Sequence, residues 1–266
     1  MLYALAIAAL TAVPAQGGEL KLTNVRMTLG DLGPTRPDAK FLPGDVLHLR
    51  FDMAGLSIAA NGEAKYKMES KVVDKNNKVI FKKDAEETEL FAPLRGNSVP
   101  GAALILIGLD MDAGNYVLEI SVEDPKTKSS AKTSAKFEVL KRDFGIVGVH
   151  ATADFQGFIP TSNVGMVGQT MIIWYTVASF ERDPKTKQPK IELQFQLKDE
   201  KGNSILAEPI KHTQDGGVDE KFGSFTPYYS LYLNRPGKFT IQITALDKVS
   251  NKKATYDWPV TVLEQN

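Results

Sequence analysis

Cysteine is absent from all 266 residues. That excludes thiol nucleophiles, disulfides, thiolate metal sites and a lipidated cysteine anchor in one step. Histidine is scarce, with three in the chain. His48, His150 and His212 stand far apart, with no Ser at a recognisable spacing and none of the close ligand spacing that structural zinc requires. They read as solvated surface imidazoles, and no catalytic residue, metal or cofactor is expected. An excess of either charge is also missing: 32 Lys and Arg balance 32 Asp and Glu. A nucleic-acid binder needs a basic face that displaces counterions from phosphates, so this class is disfavoured. No apolar run approaches the roughly 20 residues of a membrane-spanning helix, so no transmembrane span is expected in the mature chain. Glycine-rich phosphate loops are lacking too. Gly145-Ile146-Val147-Gly148 opens an apolar strand pattern rather than a helix, which fails the structural test for a nucleotide loop.

The chain contains itself twice. Displaced by about 124 residues, its apolar skeleton reappears. Gly44-Asp45-Val46-Leu47-His48-Leu49-Arg50-Phe51 falls on Gly168-Gln169-Thr170-Met171-Ile172-Ile173-Trp174-Tyr175, and Gly114–Ile120 falls on Gly237–Ile243. Before the repeat, Met1–Ala15 is a short apolar stretch ending in the small-residue site Val13-Pro14-Ala15, although no Lys or Arg precedes it. It predicts a secretory signal over residues 1–17, hence a secreted or periplasmic protein of the cell envelope. Residues 18–140 and 141–266 then form two domains joined through Lys141-Arg142-Asp143, a linker too short for free hinge motion.

What recurs within each copy is alternation with a period of two. Leu47, Leu49, Phe51 and Met53 share one face, as do Tyr116, Leu118, Ile120 and Val122, then Leu193, Phe195 and Leu197, and Phe239, Ile241, Ile243 and Ala245. This is the pattern of strands buried on one side. Turn residues such as Asp74-Lys75-Asn76-Asn77 and Glu200-Lys201-Gly202-Asn203 punctuate them. The expectation is all-β: two tandem immunoglobulin-like β-sandwiches from an internal duplication, with about seven strands each.

The shape Gly-x-aromatic-x-aliphatic-x-Ile-x-small-x-Asp, at Gly114–Asp124 and Gly237–Asp247, resembles the F strand of bacterial immunoglobulin-like and macroglobulin-like domains. The turns Gly44-Asp45 and Gly168-Gln169 resemble the entry to their B strand. The resemblance covers both repeats and implies an extracellular binding or spacer module. The chain lacks the inter-sheet cysteine pair of antibody domains and the Cys-Gln thioester of macroglobulin protease traps, so no catalytic residue carries over.

Acidic groups offer little chemistry. Asp110–Asn115 begins like a calcium loop, but Gly114 stands fifth where an EF-hand wants glycine sixth, so a turn is expected. Asp84, Glu86, Glu87 and Glu89, and Asp215, Asp219 and Glu220, could supply a glycosidase pair. Both sets read as solvated loops without the apolar pocket that would raise one carboxyl.

The remaining candidate is a difference between the copies. His48, Arg50 and Asp52 become Ile172, Trp174 and Thr176, and aromatics gather at Phe225, Tyr228, Tyr229 and Tyr232. The candidate binding residues are therefore Trp174, Ile172, Tyr228 and Tyr229. An aromatic platform stacks on sugar rings or anchors a protein. Cover by the other domain, cover by the loop Phe155–Val164, or a register slip that buries Trp174 would each remove it. The expected function is a non-enzymatic binding or structural module with a protein or glycan partner. A carbohydrate-binding protein is the alternative, and a hydrolase with loop carboxylates comes last.

Overall fold

A computed structural model describes residues 19–264; the leader expected over residues 1–17 lies outside the described residues. Among the described residues every regular element is a strand. The first half forms β1 (Lys21–Thr28), β2 (Lys40–Phe41), β3 (Val46–Ala54), β4 (Glu63–Asp74), β5 (Val79–Phe91), β6 (Ser98–Leu106), β7 (Gly114–Glu123) and β8 (Ser130–Val139). The second forms β9 (Gly145–Thr152), β10 (Pro160–Thr161), β11 (Val164–Met166), β12 (Thr170–Ala178), β13 (Ile191–Asp199), β14 (Ile210–Gln214), β15 (Ser224–Phe225), β16 (Tyr228–Tyr232), β17 (Gly237–Asp247) and β18 (Lys253–Leu263).

The strands make two immunoglobulin-like sandwiches. In the first, sheet β1-β3-β6 faces sheet β2-β8-β7-β4-β5. In the second, sheet β10-β9-β12-β15, with β16 also on β12, faces β11-β18-β17-β13-β14. The alternation accounts for both. Leu47, Leu49, Phe51 and Met53 of β3 are buried against Leu118, Ile120 and Val122 of β7 in one core. Met171, Ile173, Tyr175 and Val177 of β12 occupy the matching places with Ile241, Ile243 and Trp258 in the other. The shared register is close: Gly114 pairs with Val139 as Gly237 pairs with Val262.

The repeated turns explain the repeated letters. Gly44 and Gly168 adopt φ of 95° and 92°, a left-handed conformation that glycine takes without strain. Each donates its N–H to the strand that pairs beyond, Ile107 and Leu233 respectively, at 2.8 Å. The aspartate ending each Gly-x-aromatic strand is fully buried. Asp124 accepts N–H groups from Ser57 at 2.9 Å and Lys126 at 2.8 Å. Asp247 accepts N–H groups from Glu181 and Val249, both at 2.9 Å, and the Ser250 hydroxyl at 2.7 Å.

One expectation changes. The acidic stretch Asp84–Glu89 is not a loop but the middle of the exposed edge strand β5, where Lys82 and Lys83 neutralise Asp84 and Glu86 at 2.6 and 3.0 Å. His212 stands exposed on strand β14.

A buried carboxylate stands at the joint of the two sandwiches. Asp45 is buried; its Oδ1 accepts the N–H of Val46 and, across the joint, the N–H of Gly148, both at 2.8 Å. Its Oδ2 accepts from Arg36 Nη2 at 2.9 Å, and Arg36 lies over the Phe41 ring. Leu29 packs against the second core. A Cβ on Gly30 would stand 2.6 Å from that of His150, so only glycine allows this approach. The turn that holds Asp45 in one copy holds Gln169 in the other, and Gln169 merely accepts its own loop's Met166 N–H.

Candidate functional site: an uncharged sheet and its loop

No Asp, Glu, Lys or Arg occurs on any of β9, β10, β12, β15 and β16, which together make one whole sheet of the second sandwich. The chain carries no such residue between Asp154 and Glu181, nor between Lys221 and Arg235. The equivalent sheet of the first sandwich carries Lys21, Arg26, Arg50 and Asp52.

Strand register lays out its outer face. Trp174 stands between His150 and Tyr228, Ile172 between Thr152 and Ser230, and Thr170 beside Tyr232. Thr176 and Thr226 share a hydrogen bond of 2.9 Å. The aromatic row continues off the strands: the Trp174 and Tyr228 rings lie 4.9 Å apart, and Phe155 meets Tyr228 edge-on at 5.8 Å.

Phe155 belongs to a loop that Asp154 shapes. Its carboxylate accepts the N–H groups of Gln156, Phe158 and Ile159, at 3.2, 3.1 and 2.7 Å. Partial desolvation works against the charge, but the Ile159, Phe158 and Gln156 N–H groups outweigh it and hold the carboxyl below its usual range. The loop is fastened to the sheet by a relay. Trp174 Nε1 donates to Thr152 Oγ1 at 2.9 Å, which donates to the Asp154 carbonyl at 2.7 Å. Gly157 lies on the indole, where a Cβ would reach it at 3.5 Å. With its backbone thus fixed, the loop presents apolar side chains to solvent: Phe155 is 55%, Phe158 82% and Ile159 59% exposed.

Trp174 and Tyr228 lie together on the outer face. Trp174 is half-buried, because the Phe155–Val164 segment folds over it. Ile172 and Tyr229 do not join the exposed platform. Ile172 faces outward but is only 1% exposed. Tyr229 faces inward, stacked on Phe195 at 4.6 Å. Adjacent residues of a strand point to opposite faces, so Tyr228 and Tyr229 cannot share one. His48 is not a solvated imidazole either: it is half-buried near the joint, in the field of Asp31 and His150. His150 binds the Gly148 carbonyl at 2.8 Å through Nδ1.

Sequence reasoning missed Phe158 and Ile159 as exposed apolar loop residues and Asp45 as a joint residue. The uncharged interval Phe155–Phe180 was the available signal for the first two. Among the described residues no group of three or more His, Asp or Glu is placed to hold a metal ion. The face offers apolar and aromatic contact with a few hydroxyls between.

No protein-family model matches the chain, and no curated protein matches it either. Among solved structures it is similar to a Pseudomonas fluorescens alkylpurine DNA glycosylase, AlkC, bound to DNA containing an abasic site analog, at 19% identity over 48% of this chain and 31% of that one, with TM-score 0.31. It is similar to red sea bream transglutaminase at 11% identity over 93% of this chain and 32% of that one, with TM-score 0.28. It is similar to Escherichia coli alpha-2-macroglobulin activated by porcine elastase, at 12% identity over 92% and 22%, with TM-score 0.31. The chain spans a third or less of each of these proteins. Likenesses of this size carry no functional argument; the fold rests on the sheets themselves.

Proposed function

We propose that the chain is a non-catalytic, exported module that binds a protein partner through the uncharged sheet and the Asp154 loop of its second sandwich. The carrying observation is a whole sheet without a charged side chain, bordered by exposed Phe155, Phe158, Ile159 and Tyr228. Protein interfaces deplete charge at their centres and enrich Tyr, Trp and Phe. Tyr with small hydroxyl residues is also the composition of rigid paratopes. Contiguous exposed apolar side chains on a soluble surface mark a contact site.

The glycan reading is less well supported. Sugar stacking needs an open aromatic face, whereas Gly157 and Tyr228 both crowd the Trp174 indole. Export rests on the composition of Met1–Ala15, and an envelope partner rests on export.

A photo-crosslinking residue at Ile159, in the exposed loop and away from the β16 edge, tests the contact, with the same residue at Lys211 on β14 as control. A discrete protein adduct is expected from position 159, lost when Phe158→Ser is added, and none from position 211. Glycan retention abolished by Tyr228→Ala, without any adduct, would overturn the protein reading. Fractionation with the mass of the recovered N-terminus tests export; a cytoplasmic protein retaining Met1 would contradict it.

A further inference from the structure

An exposed strand edge is a template for another strand, and proteins blunt such edges with charge, proline, bulges or brevity. Among the described residues the strand edges follow that rule with one exception. β5 carries Lys82, Lys83, Glu86 and Glu87 and two register shifts against β4. β1 has Lys21, Arg26 and a bulge, and β14 has Lys211. β6 is uncharged but contains Pro100, which has no N–H to offer. β2, β10 and β11 are two or three residues long.

β16 has none of these devices. Its residues are Tyr228-Tyr229-Ser230-Leu231-Tyr232, its register with β12 is unbroken, and its other side has no strand among the described residues. Hydrogen bonding fixes which groups face the open side. Leu233 N–H donates to the Gln169 carbonyl at 2.9 Å, and Tyr175 N–H to the Pro227 carbonyl at 3.2 Å. In an antiparallel ladder such pairs alternate. Leu231 and Tyr229 therefore bond inward to β12, and the N–H and C=O groups of Tyr228, Ser230 and Tyr232 point outward. These three are the exposed residues of the strand.

We propose that a second copy of this chain docks at this edge, its β16 adding antiparallel about a two-fold axis through Ser230. The segment is close to its own reverse, so the axis sets Ser230 opposite Ser230 and Tyr228 opposite Tyr232, with Tyr229 opposite Leu231 behind them. All the outward backbone groups lie in the bonded positions of that ladder. Near a two-fold axis each residue meets its own copy or a close neighbour's, so charge there is self-repelling; this edge has none. The paired tyrosines extend the outer face as cross-strand aromatic pairs. The two sheets become one continuous sheet, and the Phe155 loops stay free. The edge and the loop are thus distinct contacts that share Tyr228 at their border, and either could fail without the other.

The absence of cysteine gives a clean test. Directly bonded antiparallel residues stand about 5.5 Å apart at Cα, inside the roughly 4.4–6.8 Å that a disulfide spans. Under mild oxidation the full-length Ser230→Cys chain should form a covalent dimer at least about tenfold faster than Thr213→Cys on the charged β14 edge. In sedimentation equilibrium the unmodified chain should dimerise, and Ser230→Lys should weaken the dimer about tenfold or more. Equal cross-linking at positions 230 and 213, a monomeric unmodified chain, or a dimer indifferent to Ser230→Lys would each overturn the proposal.

Discussion

Asp124 and Asp247 show how single residues hold the fold. Each carboxylate is buried at the end of a central strand and gathers N–H groups from its own turn and from a loop far off in sequence, Ser57 in one copy and Glu181 in the other. Burial works against the Asp124 charge, but its N–H partners outweigh this and hold the carboxyl below the usual range. Removing such an acceptor leaves several buried donors unmet. Asp247→Ala should therefore cost about 3 kcal/mol, and Asp247→Asn, which keeps one acceptor oxygen, clearly less. Denaturant titration of both variants checks this; equal losses would show that the side-chain oxygens are not what matters. Tyr175 presents the opposite case. Its hydroxyl is buried in the second core without a partner among the described residues, and burial pushes its ionisation well above the usual phenol range. Tyr175→Phe should stabilise the protein, by up to about 1 kcal/mol, since an unmatched polar group is removed while the ring contact with Phe195 is kept. A lowered midpoint would mean that the hydroxyl is satisfied.

At the scale of elements, the strands were the most legible part of the sequence. Apolar residues every second position in β3, β7, β12 and β17 fix which face is buried, and a slip of one residue would turn every side chain over. The Gly-Asp and Gly-Gln turns were legible because glycine marks a backbone that other residues resist. What lies opposite a strand was not legible, since alternation names a face and not its cover. Ile172 and Trp174 both point outward, yet Ile172 is buried and Trp174 is covered by the Asp154 loop. That loop has no periodicity to read; a single aspartate and the Thr152–Trp174 relay shape it. Gly157, at φ 79°, is its weak point. Gly157→Val would add a branched side chain against the indole in a conformation it resists, at a cost of about 1–2 kcal/mol. The expected result is faster hydrogen exchange at Gln156, Phe158 and Ile159 with the core amides unchanged. Unaltered exchange at those three amides would show that the glycine contact does not hold the loop.

At the scale of the whole molecule, the two copies diverge where they touch. Asp45 and His48 replace Gln169 and Ile172 of the twin, and that is why comparison of copies could flag the positions but not say that a second domain meets them. The pairing of Arg36 with Asp45 holds an otherwise costly charge beside the Gly148 N–H, so Asp45→Ala should cost about 3 kcal/mol. It should also free the two sandwiches to reorient, seen as a larger radius of gyration in solution scattering. The joint further carries a pH dependence. Burial lowers the pKa of His48; Asp31 and Asp45 draw it up, while His150 and Arg50 push it down, and burial prevails. In the unfolded chain the imidazole returns to about 6.5. Between the lowered folded value and 6.5 the unfolded chain binds more protons, so stability rises with pH across that window. The contribution is complete above pH 6.5 and is lost as the pH falls toward the folded value. Asp124 and Asp154, with carboxyls held below their usual range, titrate in a more acidic window and leave this one to the histidine. The urea midpoint of the unmodified chain should therefore fall between pH 7 and pH 5 more steeply than that of His48→Asn, which has no imidazole to titrate at this position. Equal slopes in the two chains would show that His48 is as easily protonated in the joint as in water, and that the contact between the sandwiches leaves it solvated.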